Sequence, residues 1–398
     1  MNGPVRHVDD DERRTRLARR HALHPGHRVA DALAATRAMT VLHSTEPPTP
    51  YLSLQARVDG LTRADVDRAL YDDRSLVKQL AMRRTLFVFP RDLLPAAWGS
   101  ASARVAAQEW KRIAKDVVVS GLAADGDAWL REARAAVLAR LAGGDELGAK
   151  SLREELGELA GRVDIGVGTK WAGEVPIAPR VLTQLGADAR IVRGQNGSHW
   201  RVSQPRWTSM TAWLGESPAP LDEAAGYAEL VRRWLRTFGP GTETDIVWWL
   251  GSTKSAVRRA LVDVGAVTVT LDSGDTGWLL RDDAAPEPAV EPWAALLPAL
   301  DPTLMGWKQR DFYLDPGHTP YLFDTNGNGG TTAWWNGRVV GCWVQDLDAS
   351  VRVVLCDDVG ADGRAALEHE AARLTAWLDG EIVNSIYASR LMRESKLP

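Results

Sequence analysis

Cysteine is nearly missing from this chain of 398 residues: Cys342 and Cys356 are the only two, both in strand-like sequence near the C-terminal end. Two thiols build neither a zinc site nor a disulfide framework, so buried free thiols are expected. Long apolar runs are also missing. Val117-Val118-Val119 is typical of the longest, against the ~20 residues that a membrane-spanning helix needs. The first 20 residues are acidic and then basic, without the apolar stretch of a secretory signal, which points to a cytoplasmic protein. No phosphate-binding glycine loop, zinc ligand set or cofactor fingerprint occurs, so neither metal nor cofactor is expected. The tightest acidic cluster, Asp9-Asp10-Asp11-Glu12, sits in the N-terminal tail. It reads as a solvated charge run, not as the carboxylate pocket of a metal-dependent nuclease.

The net charge of −4 hides an asymmetry. Residues 1–115 carry +7 and hold five of the eight histidines, residues 116–215 are neutral, and residues 216–398 carry −11. A basic first third on an acidic body suits a protein that turns one face to phosphate and keeps the rest away. The 17 tryptophans, among them Trp248-Trp249 and Trp334-Trp335, offer stacking platforms for bases. Core packing is the commoner use of such residues.

Three stretches repeat one order, helices followed by a strand pair. In the first, helices are expected over residues 27–39, 51–58 and 62–71, the last with Thr62 and Asp65 spaced as a capping box. A strand follows at 84–89. In the second, Trp129, Ala133, Val137 and Leu141 mark one helical face. Strands at 189–193 and 199–202 flank the hairpin-type Asn196-Gly197. The third places helices at 227–238, 243–250 and 253–264, then strands at 268–271 and 277–280 around Asp272–Thr276. Helices followed by a hairpin is the winged-helix order. Beyond the Pro-rich linker 284–292, strands are expected at 304–307, 321–323, 331–335, 338–344 and 351–355, then a helix at 361–378. The expected fold is therefore α+β, tandem winged-helix domains followed by a C-terminal β-barrel-like domain. Its parts are a disordered tail 1–19, winged helices over 20–120, 121–215 and 216–285, and the barrel-like domain over 286–398.

Several separated motifs resemble one family. They are Thr40-Val41-Leu42-His43-Ser44-Thr45-Glu46-Pro47, Tyr51-Leu52-Ser53-Leu54-Gln55-Ala56-Arg57-Val58 and Ala81-Met82-Arg83-Arg84-Thr85-Leu86. Further along stand Phe238-Gly239-Pro240, Leu296-Leu297-Pro298-Ala299-Leu300-Asp301 and Gly337-Arg338-Val339-Val340-Gly341. In this order they resemble the AlkZ/YcaQ family of winged-helix DNA glycosylases. The family's catalytic motif is Gln-x-Gln or Gln-x-Asp, so the resemblance implies catalytic roles for His43 and Thr45, with Glu46 beside them. It further implies a water held at the anomeric carbon of a damaged nucleotide, and a duplex-probing hairpin within 312–330, whose Asn326–Gly330 end reads as flexible or a tight turn. His43 would take the proton of the water, Thr45 would orient it, and Glu46 would stabilise the sugar cation or orient His43. Gln55-Ala56-Arg57, a degenerate copy of the motif, falls in the next helix and reads as supporting structure.

Arg83, Arg84, Lys111, Arg112, Lys115, Lys308 and Arg310 are the candidates for DNA contact. No lysine lies near His43, which disfavours a Schiff-base lyase step. The expected activity is monofunctional excision of bulky N7-alkylated guanine (purine) adducts from double-stranded DNA, in a nucleoid-associated monomer, with antibiotic self-resistance as a setting. The alternative is a non-catalytic tandem winged-helix DNA-binding protein, either regulator or lesion binder. Regulators commonly dimerise on palindromes, and no heptad segment is present to support that.

Overall fold

The computed structural model describes residues 3–166, 172–215 and 218–394. The chain forms two compact units. Met1–Leu76, Val88–Pro90 and Ala228–Pro398 make the first, and Val77–Phe87 with Arg91–Tyr227 the second. The first unit is thus assembled from both ends of the chain.

Its first helix, Asp10–Arg20, lies where a disordered tail is expected. Asp9 caps it, accepting the Glu12 N–H at 2.7 Å, with acidic residues in the first turn and basic ones in the last. Of the acidic run, Asp9 and Asp11 are exposed, as a solvated run would be, while Asp10 and Glu12 are partly buried. Arg16 and Arg20 reach Asp283, Arg16 also reaches Glu12, and Arg20 reaches Glu287. Ahead of the helix, His7–Val8 runs parallel to Val267–Leu271. That strand pairs with Thr276–Leu279, which pairs with Gly241–Thr242. Helices Glu243–Leu250 and Lys254–Asp263 sit between the outer strand and the hairpin, and Thr242 and Asp245 close a capping box on the first of them. A Cβ on Gly241 would meet the Trp234 ring at 2.2 Å, so only glycine fits there.

The C-terminal sheet has four antiparallel strands in the order Ala294–Leu297, Thr332–Trp335, Arg338–Gln345, Val351–Leu355. Its end strands do not meet. The sheet is open, backed by helix Gly360–Leu378, and no closed barrel exists among the described residues. The barrel-like expectation fails because two expected strands are short helices, Pro302–Met305 and Thr319–Leu322. Each has proline in its first turn, where a missing N–H costs nothing. Three of the five expected strands remain, and with Ala294–Leu297, which is not among those five, the sheet reaches four, too few to close. The expected duplex-probing hairpin is likewise reduced to one bridge, Phe323 with Gly329. Asp324 accepts the N–H groups of Asn326 and Asn328, making that stretch a tight turn.

In the second unit, helices Ala101–Val119, Gly126–Leu141 and Ala178–Ala187 bury Ile113, Val117, Leu130, Val137, Val181 and Leu185 in one core. A three-stranded sheet lies beside them in the order Leu147–Gly148, Pro205–Ser209, Ile191–Asn196. The second hairpin strand begins at Pro205 and not at His199. The Asn196 side chain explains the wide loop: its amide donates to the carbonyls of Ser198, His199 and Val202, and its oxygen accepts the Gln204 N–H.

Candidate active site and nucleic-acid interface

The segment carrying His43, Thr45 and Glu46 follows helix Ala32–Ala38 and the short strand Leu42–His43, and leads into helix Thr49–Gln55. His43 and Glu46 are buried, at 7% and 5% exposure, while Thr45 between them is exposed. The Glu46 carboxylate accepts the Ile386 N–H at 2.8 Å and is also hydrogen-bonded by Ser385 and the Tyr387 N–H. Burial pushes its pKa up from 4.5, against the pull of those hydrogen bonds. The residue lines a cavity of about 210 Å³ together with Thr49, Thr331, Trp343, Gln345 and Ser385. A carboxylate here lies in a low-dielectric recess, where its field on a passing cation is stronger than in water.

Helix Thr49–Gln55 is fastened from behind. Thr49 donates to the Ala299 carbonyl and Ser53 to Asp301. Just beyond the helix, Arg57 forms a two-pronged pair with Asp301 at 2.8 and 2.9 Å, with neither side chain exposed. Arg57 also donates to Thr303, which meets His21; burial first, and then Arg57, push that imidazole down to about 3. Gln55 is buried and its carbonyl accepts from Arg373. Gln55 and Arg57 are thus parts of the packing that holds the segment.

Five of the seven candidate DNA contacts lie in the second unit, and the fold brings them together. Arg83 and Arg84 occupy a turn with φ of 54° and 59° that packs against helix Ala101–Val119. On that helix Lys111, Arg112 and Lys115 are exposed at helical spacing. Buried Glu109 pairs with Arg84 at 3.0 Å and with Arg112 at 2.9 Å, which fixes both guanidinium groups while leaving each about half exposed. Charge reversal of Arg83, Arg84, Lys111 and Arg112 to Glu is expected to weaken binding to damaged and undamaged duplex alike. A salt series of fluorescence-polarisation titrations reads this as lower affinity and a shallower salt dependence.

The other two candidates lie in the first unit. Lys308 is exposed, and its backbone N–H is held by Asp245 at 2.9 Å. Arg310 is half-buried, with its guanidinium over the rings of Trp248 and Phe323 at 5.3 and 4.8 Å. Trp249, Trp307 and Trp334 are buried and pack the interior. Residues 382–388, which cover Glu46, carry no motif; only their contact in the fold reveals them. No group of three or more His, Cys, Asp or Glu is placed to hold a metal, and no helix is long and apolar enough to cross a membrane, among the described residues.

A family model described as "DNA glycosylase AlkZ-like" matches residues 36–377. No curated protein sequence matches the chain. Among solved structures, the chain is similar to the Streptomyces sahachiroi DNA glycosylase AlkZ, with a TM-score of 0.73 and 20% identity. That match covers 95% of this chain and 98% of the other.

Proposed function

The chain belongs to the AlkZ-like DNA glycosylase family, and from that premise we propose that it is a monofunctional glycosylase for bulky N7-alkylated guanine in duplex DNA, working from His43, Thr45 and Glu46. The observation that carries this reading is the Glu46 carboxylate, buried on a cavity wall three residues from His43. An N7-alkylated guanine is already cationic. When its bond to the anomeric carbon breaks, the electron pair leaves with the base, which departs neutral, and the sugar develops oxocarbenium charge. A partly desolvated carboxylate beside the sugar stabilises that charge. A water completes the reaction at the anomeric carbon, oriented by the Thr45 hydroxyl and giving its proton to the neutral His43 imidazole. The three helix–hairpin stretches act as winged-helix modules on the duplex, and the basic cluster around helix Ala101–Val119 supplies phosphate contacts. Bulky N7 adducts are the lesions that a DNA-alkylating antibiotic inflicts on its producer, so self-resistance is the role that fits.

The experiment is incubation of the protein with a duplex carrying one such adduct. The expected product is an abasic site in an unbroken strand, formed equally well in EDTA. Dependence on a divalent metal, or a covalent protein–DNA adduct trapped by borohydride, contradicts this chemistry.

A further inference from the structure

Among the described residues, several buried or half-buried arginines pair with carboxylates. Arg57 has Asp301, Arg16 has Glu12, Arg134 has Asp188 and Arg180 has Asp116. Arg193, on strand Ile191–Asn196 of the second unit, is different. Its guanidinium lies over the Trp207 ring, 5.1 Å from the centroid, and makes no hydrogen bond or ion pair with the described residues. Burial alone pushes its pKa down to about 10, with no neighbouring carboxylate to offset the cost. Arg193 is half-buried, and a partly desolvated cation without a counter-ion carries a cost that no carboxylate of the fold offsets. Lys78 adds a second positive charge at the same crevice, which Leu80, Leu86 and Ile191 line with apolar surface.

We infer that Arg193 and Lys78 form a binding site for a phosphate of the DNA backbone, separate from the basic cluster on helix Ala101–Val119. Three features support this. An external anion supplies the charge that the fold withholds from Arg193, and a guanidinium offers two parallel N–H donors that match phosphate oxygens. The Trp207 ring holds the guanidinium plane in one orientation. The crevice measures about 10 Å³, room for one water-sized group, which suits a single phosphate oxygen. The strand is one arm of the hairpin that closes its sheet, a position from which a winged-helix module grips the backbone. This inference rests on the chain's being a DNA-binding glycosylase, and not on the roles given to His43, Thr45 and Glu46.

The test uses the full-length protein, an undamaged duplex and polarisation titrations over a salt series. Arg193→Met should weaken binding about tenfold, the size of one charge-assisted hydrogen bond. It should also lower the slope of log K against log salt by about one. Arg193→Lys should restore most of both. Thermal melting adds a readout that a merely structural role would move the other way: Arg193→Met removes an uncompensated charge, so its Tm should equal or exceed that of the parent. Unchanged affinity and slope in Arg193→Met overturn the inference, and so does a loss of binding that Arg193→Lys does not restore. Base excision, measured on the same preparations, separates the two readings. A lowered slope in a protein that excises nothing leaves the phosphate site standing and removes the proposed chemistry.

Discussion

Arg57→Met is expected to destabilise the first unit by about 3–5 kcal/mol, the cost of leaving a buried charge without its partner. Asp301 would keep Ser53 and the Thr303 N–H as donors but lose the two guanidinium contacts. Chemical denaturation with a spectroscopic probe of the first unit reads the loss directly. The double variant Arg57→Met/Asp301→Leu should recover much of it, since the charge is removed with its partner. The pH dependence has a definite sign. Burial opposes ionisation of Asp301, but Arg57 and the surrounding hydrogen bonds outweigh it and hold the carboxyl below its ordinary 3.8. Its contribution to stability is complete above that value and is lost as pH falls through the lowered one. Excision should fail with the fold, because Ser53 and Arg57 anchor the helix that begins three residues after Glu46.

His43→Ala is expected to reduce excision of a bulky N7-guanine adduct by at least about 10²-fold, the usual contribution of a positioned general base. Duplex affinity should stay close to that of the parent. Thr45→Ala should slow the reaction less, since in the proposed mechanism its hydroxyl orders the water without taking its proton. Single-turnover kinetics beside polarisation titrations separate chemistry from binding. Glu46 adds a pH signature. Its carboxyl is held above the ordinary 4.5 by burial, and only the ionised form stabilises a cationic sugar. The rate should therefore rise with pH through that raised pKa, and Glu46→Gln should flatten that limb. Full activity in His43→Ala would show that the segment has a structural role only.

Much of the architecture is written locally. The Thr62–Asp65 capping box forms as its spacing requires, the strands at 267–271 and 276–279 fall within a residue of the alternating pattern, and helix Gly360–Leu378 starts one residue early. Where the reading fails, a longer-range term decides. Residues 1–19 read as a disordered tail, but Asp283 and Glu287, more than 260 residues away, pair with Arg16 and Arg20 and hold helix Asp10–Arg20 in place. Helices Pro302–Met305 and Thr319–Leu322 are four residues each, too short for apolar periodicity to separate helix from strand. Their first-turn prolines were the available signal.

Motif resemblance proposes His43, Thr45 and Glu46, while the segment that covers Glu46 lies 340 residues further along the chain. Arg193 is invisible in sequence for the same reason. What sets it apart is a missing partner, and that becomes definite only when the fold has placed the neighbours.

The central claim, that this chain cleaves the bond to a bulky N7-alkylated guanine, is tested most directly by single-turnover release of the modified base. The substrates are two duplexes of one sequence, one with a bulky N7 adduct and one with 7-methylguanine. In the proposed mechanism Thr45, shorter than the glutamine that the family's motif carries, would leave room at the sugar and shift the water, and a misplacement of about 1 Å costs on the order of 10²-fold in rate. The expected result is release of the bulky base with an intact abasic strand and much slower release of 7-methylguanine. Brisk excision of 7-methylguanine, or no release from either duplex, would contradict the account.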